Sequence, residues 1–143
     1  MELEQIAKGV TFTHPKATVL EVAERMTAEH IRAMVVLDDG LLVGIVSERD
    51  IVGRVVAKRR APESTLVSEI MTTHVQTVAA GASEEEALDR MHRGQCHHLP
   101  LVDRAGRVIG MLGIRDLLRD RIEELALKNA DLVGFISIDG PGG

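Results

Sequence analysis

The chain repeats itself, and that constrains its fold more than any other feature. Residues 17–38, ATVLEVAERMTAEHIRAMVVLD, align without a gap on residues 82–103, ASEEEALDRMHRGQCHHLPLVD, at an offset of 65. Ala17, Arg25, Met26 and Asp38 recur as Ala82, Arg90, Met91 and Asp103. One inserted turn residue then shifts the offset to 66, and Gly40, Gly44, Arg49 and Asp50 recur as Gly106, Gly110, Arg115 and Asp116. A chain of 143 residues with this self-similarity is expected to consist of two like units that bury their apolar faces against each other.

Each unit reads in the same order. A short strand opens it, near Val10 and near Val75. Thr18 and Ser83 then stand at N-cap positions with Glu21 and Glu86 three residues later, so both units are expected to carry a capping box. Val19, Val22, Ala23 and Met26 fall on one helical face, as do Ala87, Leu88 and Met91. Gly94 is expected just past the end of the second of these helices. Strands are predicted over 32–37 and 98–102, and again over 41–46 and 107–112. Asp38-Asp39-Gly40 and Asp103-Arg104-Ala105-Gly106 supply turn chemistry between them, so each pair forms a hairpin. A further helix starts near Glu48 and near Ile114, the latter continuing past Arg121 to about Ala130. The prediction is an α+β fold: two β-α-β-β-α repeats about a pseudo-two-fold axis, small sheets face to face, and a short C-terminal helical extension. The expected boundaries are 8–61, 70–125 and, for the extension, 126–143, with the polar link KRRAPEST at 58–65 broken by Pro62.

Composition then removes whole classes of function. The net charge is -5, which argues against a nucleic-acid or anionic-membrane partner. There is no Trp or Tyr, and Phe12 and Phe135 are the only aromatic residues, so bases cannot be stacked on aromatic platforms. A single cysteine, Cys96, excludes an internal disulfide and a multi-cysteine zinc site. No apolar run is long enough to span a bilayer, and residues 1–10 lack the apolar stretch of a signal peptide, so a cytoplasmic location is expected. No nucleophile–base pair or spaced carboxylate dyad stands out, and the chain is not expected to be an enzyme.

The segments that point to chemistry are GIVSERD at 44–50 and GMLGIRD at 110–116. Each runs from a strand end into a helix start. A helix N-terminus offers unsatisfied N–H groups and a positive dipole end to a phosphate. Ser47 adds a hydroxyl, and Asp50 and Asp116 can accept both hydrogens of a ribose cis-diol. The other reading of the same residues makes Ser47 a helix cap and the two aspartates dipole-favoured first-turn acids. Cys96, His97 and His98, with His92 on the preceding helix, suggest a metal or redox site, although neighbours on a strand point to opposite faces and are not expected to share one ion.

In these motifs the chain resembles a tandem pair of cystathionine-β-synthase-type (CBS) domains, a Bateman module. The glycine, two apolar residues, Ser/Thr, two residues, Asp pattern carries the likeness. VSEIMT at 67–72 resembles the lead-in to such a module's second domain, and HHLPLVD at 97–103 its central strand. The likeness covers residues 8–121. It implies a regulatory, non-catalytic module that binds an adenosyl compound (AMP, ADP or ATP, or else NAD or S-adenosylmethionine) in clefts between the domains. By that resemblance Asp50 and Asp116 grip ribose, Ser47 contacts ribose or phosphate, and Arg49 and Arg115 line the same region. Arg32, His97 and His98 face phosphate, and Val10, Thr11, Val75 and Gln76 hold adenine through aliphatic groups and backbone. It also implies a homodimer and a regulated protein target. Gly113 stands where the second motif should carry its hydroxyl, so the Asp116 cleft is expected to be the weaker one. Two alternatives remain beside the sensor reading: an adaptor with empty clefts, and a redox- or metal-responsive switch at Cys96, His97 and His98.

Overall fold

The computed structural model describes residues 2–129. After a short helix α1 (Leu3–Ile6), the first half runs β1 (Phe12–Thr13), α2 (Val19–Glu29), β2 (Ala33–Asp38), β3 (Leu41–Ser47) and α3 (Glu48–Ile51), which continues as a π-helical stretch, Val52–Val56. The second half repeats the order as α4 (Val67–Ile70), β4 (Val78–Ala79), α5 (Glu84–Gly94), β5 (His98–Val102), β6 (Val108–Gly113) and α6 (Ile114–Lys128). Most of the extension expected at 126–143 lies outside the described residues.

Each half forms a three-stranded sheet, β1-β2-β3 and β4-β5-β6. In both, the first strand pairs parallel to the second across the intervening helix, and the second and third form the antiparallel hairpin. Each half also lends its leading segment to the other. Lys8 bridges Met111 on the free edge of β6, and Thr72 bridges Ile45 on β3. Both bridges are made of two backbone hydrogen bonds of 2.9–3.0 Å. This reciprocal exchange is a two-fold relation between the halves, and it covers a sheet edge that would otherwise stay open.

The exchange explains the repeated glycine of the motif. A Cβ at Gly44 would lie 2.5 Å from Met71 Sδ and 3.1 Å from the Thr72 carbonyl oxygen. One at Gly110 would lie 3.2 Å from both Ala7 Cβ and the Lys8 carbonyl oxygen. The crossing segment needs a bare backbone at both places.

Three apolar clusters hold this arrangement. Val19, Val22 and Met26 of α2 pack on Met34, Val36 and Val46, and the cluster is completed by Val67 and Ile70 of α4. Ala87 and Met91 of α5 pack on Leu99, Leu101 and Leu112, completed by Leu3 of α1 and Leu117 of α6. Thus α1 serves the second half and α4 the first. Between the sheets lie Ala33, Val35 and Met111, with Val10, Leu37, Ile45 and Val108 against them. Residues 33–36 of β2 are therefore buried on both faces, which is why that run is continuously apolar. Truncating fully buried Met34 or Leu101 to alanine should cost about 2–5 kcal/mol.

The local expectations hold with three differences. The box at Thr18 closes: Glu21 N–H donates to Thr18 Oγ1 at 3.2 Å and Thr18 N–H to Glu21 Oε2 at 3.3 Å. The box at Ser83 closes on one side only, because the Glu86 carboxylate accepts from Arg90 Nη2 at 3.2 Å instead. α5 keeps Gly94 within the helix and ends on Gln95 in the left-handed conformation, φ 49°, as α2 ends on His30, φ 54°. The second opening strand forms at Val78–Ala79, beyond Val75, where Leu101 and Val102 offer a partner.

Candidate functional site

A cleft of about 320 Å3 opens between the halves. Lys8, Gly9 and Thr11 of the leading segment form one wall, and residues 30–33 at the α2–β2 junction another. The second half contributes His97 and His98 at the start of β5, Met111, and the motif residues Gly113, Ile114, Arg115 and Asp116, with Arg119 one turn further on. Two backbone bonds fix the floor: Glu48 N–H donates to the Arg32 carbonyl at 3.0 Å, and Ile114 N–H to the His97 carbonyl at 2.9 Å.

The cleft is basic although the chain is acidic. Lys8, Arg32, Arg115 and Arg119, with three histidines, face one carboxylate, that of Asp116. Such a concentration of one sign focuses the field on an anion. The Asp116 side chain is 14% exposed; Lys8 Nζ stands 3.6 Å and Arg119 Nη1 4.0 Å from its Oδ1. Among the described residues no hydrogen bond reaches that carboxylate, and α6 has no side-chain cap at Gly113. His98 is half-buried, and its pKa lies below the ordinary 6.5 because burial disfavours the charged ring and His97 and Arg32 repel it. Glu48 and Asp116 pull the other way.

The first motif is organised differently. Ser47 N–H and Ser47 Oγ donate to Asp50 Oδ2 at 2.9 and 3.1 Å, and Asp50 N–H donates to Ser47 Oγ at 3.3 Å. Thr72 Oγ1 donates to Asp50 Oδ1 at 3.3 Å, with Arg54 Nη1 at 3.7 Å. This carboxylate is consumed by capping and by the chain's own crossing segment.

Of the residues singled out in the sequence, the structure brings Thr11, Arg32, His97, His98, Arg115 and Asp116 to one cleft. It does not bring Ser47, Arg49, Asp50, Val75 or Gln76 there. Arg49 is exposed on α3. Gln76 lies over Gly94, where an added Cβ would meet Gln76 Cγ at 3.1 Å and Cys96 Sγ at 3.3 Å. Val10 packs against the inter-sheet cluster. Both His97 and His98 line the cleft despite the alternation expected of neighbours, because β5 starts at His98 and leaves His97 outside the pleat. Lys8, His30 and Arg119 were missed. Arg119 carried a signal, lying one helical turn beyond Asp116; Lys8 carried none, since it acts on the other half.

Cys96 is half-buried, and burial pushes its thiol pKa up, away from the reactive thiolate. Among the described residues, the three side chains that bring ligand atoms within 4.8 Å of one another are Glu84, Asp120 and Glu124, not Cys96, His97 and His98.

Comparison with known proteins agrees with this architecture. The family model for the CBS domain matches twice, over residues 3–57 and 67–123, and the chain belongs to the CBS domain family. A CBS domain-containing protein of Arabidopsis thaliana is 37% identical over 122 residues, 85% of this chain but 22% of the relative. The chain thus spans about a fifth of the length of that relative. The structure of a putative signal-transduction protein with CBS domains from Burkholderia ambifaria superposes with a TM-score of 0.81 at 30% identity, covering 87% of this chain and 96% of the other. A CBS domain protein from Pyrobaculum aerophilum, complexed with AMP, gives a TM-score of 0.78 at 28% identity, over 89% of this chain and 99% of the other. No helix of the described residues is long and apolar enough to cross a membrane.

Proposed function

We propose that this chain is a non-catalytic regulatory module that binds an adenine nucleotide (AMP, ADP or ATP) in the cleft at Asp116. The observation that carries the reading is the uncapped Asp116 carboxylate among Lys8, Arg32, Arg115 and Arg119 in a cleft shared by both halves. The ribose cis-diol donates to Asp116. Phosphate is taken by the basic side chains and by His97 and His98 beside the start of α6, whose first-turn N–H groups are free of any side-chain cap. Adenine lies against Ile31, Met111 and the backbone at Thr11, which suits a chain without Trp or Tyr. The AMP complex of the Pyrobaculum aerophilum relative supports the ligand class. Phosphorylated ligands fit the basic lining better than cationic S-adenosylmethionine, and NAD is the remaining phosphate-bearing candidate. Ser47, Arg49, Asp50, Val75 and Gln76 form the pseudo-symmetric second position, and Val10 backs the first.

Because the cleft is built from both halves, occupancy favours one arrangement of them over another, which is the differential affinity that regulation requires. We place the module in the cytoplasm as a homodimer acting on a protein target; exposed Val52, Val56, Leu118, Ile122 and Leu125 support self-association. The test is calorimetric titration with AMP, ADP, ATP, NAD and S-adenosylmethionine, with thermal melts alongside. A ligand at a hundredfold excess over Kd should add about 2.7 kcal/mol of stability, and Asp116→Ala should remove it. Silence toward every adenosyl compound at millimolar concentration would leave the adaptor reading in its place.

A further inference from the structure

We propose that Glu84, Asp120 and Glu124 form a site for one divalent cation of the hard, oxygen-preferring class (Ca2+, Mn2+ or Mg2+) where α5 meets α6. The inference lies away from the cleft and does not depend on the nucleotide reading. Each of the three side chains brings a carboxylate oxygen within 4.8 Å of the other two. A Ca2+ ion takes its oxygens at about 2.3–2.6 Å, which sets opposite ligands roughly 5 Å apart, so oxygens this close can share one ion.

Local structure brings the three together. Asp120 and Glu124 are four residues apart on α6 and so share one helical face. Glu84 is the first residue of α5, directly after the Ser83 cap. The next residue, Glu85, is tied to α6 by Arg121 Nη2 at 2.6 Å, which holds the start of α5 against this face. All three donors are carboxylates, the ligands that suit calcium, magnesium and manganese rather than the metals that prefer imidazole or thiolate.

Acidic groups are common on protein surfaces, and Glu84 is what marks this one as a site. Its carboxylate is buried, and Oε1 has no hydrogen-bond partner. A buried carboxylate oxygen without a partner is costly. The basic side chains nearby are engaged on the outer side. Arg121 Nη2 is on Glu85 and its Nη1 stays 4.0 Å from Glu124 Oε2, while Lys128 Nζ, 3.6 Å from Glu124 Oε1, belongs to a side chain that is 68% exposed. Among the described residues no basic side chain pairs with Glu84 or Asp120, and the amino terminus offsets only part of the charge on Glu84. One divalent cation supplies both the missing partner and the missing countercharge, and it pins α5 to the helix whose first turn lines the cleft.

The experiment uses the full chain, freed of divalent ions with a chelator and held near neutral pH without nucleotide. Mn2+ is the probe, because loss of its free paramagnetic signal counts bound ions directly. A single Mn2+ per chain is expected, displaced by Ca2+, with a Kd of about 0.1–1 mM, the weak end of the range for oxygen-ligand sites. Ca2+ at tenfold excess over its Kd should raise the melting temperature by about 4 °C, and sodium chloride of the same ionic strength should not. Asp120→Asn and Glu124→Gln should each weaken Mn2+ binding about tenfold or more. Glu123→Gln, which removes one exposed charge from the same helix, should leave it within about twofold of the parent. Without divalent ions Asp120→Asn should melt above the parent, and added Ca2+ should close that gap, so the variant's lost binding is not a failure to fold. A Ca2+ response matched by sodium chloride, Mn2+ binding that survives both Asp120→Asn and Glu124→Gln, or no bound Mn2+ at millimolar concentration overturns the proposal.

Discussion

The Thr72 hydroxyl donates to Asp50 Oδ1 at 3.3 Å, joining the first helix-start motif to the segment that leads into the second half. The same segment is held by the Ile45–Thr72 bridge and by Arg54 Nη1, which donates to the Ile70 carbonyl at 2.8 Å. Asp50, its side chain 13% exposed, is the acceptor on which the Thr72 hydroxyl and the Ser47 cap converge, with Arg54 Nη1 3.7 Å away. Asp50→Ala should therefore destabilise the protein by about 2 kcal/mol, the scale of a lost cap plus a hydrogen bond to a charged acceptor. Urea denaturation checks this, and a double-mutant cycle with Thr72→Val should show the two residues coupled. AMP affinity should change far less than stability. Lost AMP binding with unchanged stability would return Asp50 to the ligand-gripping role that its sequence motif suggests.

The contrast between Asp50 and Asp116 shows what a sequence can and cannot say. The repeat, the two hairpins and the four main helix starts were legible, because capping residues, turn residues and apolar periodicity are local signals. The exchange of leading segments was not. Lys8 lies just upstream of Thr11 in the chain but pairs with Met111, and nothing local announces that contact. Gly44 and Gly110 were visible as a motif, yet the reason for them is a segment arriving from the other half. The two aspartates sit in heptapeptides that share the glycine, the arginine and the aspartate, and their surroundings differ because Ser47 and Thr72 meet one while Gly113 and Lys8 stand by the other. The ends of α2 and α5 were misplaced or unread for the opposite reason: His30 and Gln95 take a left-handed conformation that their side chains do not advertise.

A second prediction concerns the α5–α6 contact. Glu84 Oε1 is buried with no hydrogen-bond partner, beside the carboxylates of Asp120 and Glu124. A hydrogen bond to Asp120, then burial and repulsion by the Asp120 and Glu124 carboxylates, holds the Glu84 pKa above the usual 4.5. A raised carboxyl pKa means that stability is fully present below the unfolded value and is lost as pH rises through the folded one. Asp120→Asn offers an amide donor to Oε1 and removes one charge. It should raise stability near neutral pH by about 1 kcal/mol, and the gain should vanish below the ordinary 4.5, where the parent already holds the proton. Denaturant titrations at neutral and acid pH decide it; a gain of equal size at both would mean that the charge cluster is not its source.

The last prediction concerns His98. Burial, then repulsion by His97 and Arg32, holds its pKa below 6.5, against the weaker opposing pull of Glu48 and Asp116. On acidification the unfolded chain takes up this proton first, near 6.5, while the folded chain resists. The unfolded state then binds more protons, so stability falls with pH from about 6.5 down to the folded pKa. His98→Gln keeps a polar, neutral side chain and should flatten the profile of melting temperature against pH in that window. An anionic ligand reverses the local balance, because a phosphate beside His98 favours the charged ring. AMP binding just below 6.5 should therefore take up a proton, read as a dependence of calorimetric heat on the ionisation enthalpy of the buffer, and His98→Gln should reduce that uptake. A parent whose stability is flat through this window, or proton uptake that persists in full without His98, would place the pH response on another group in the cleft.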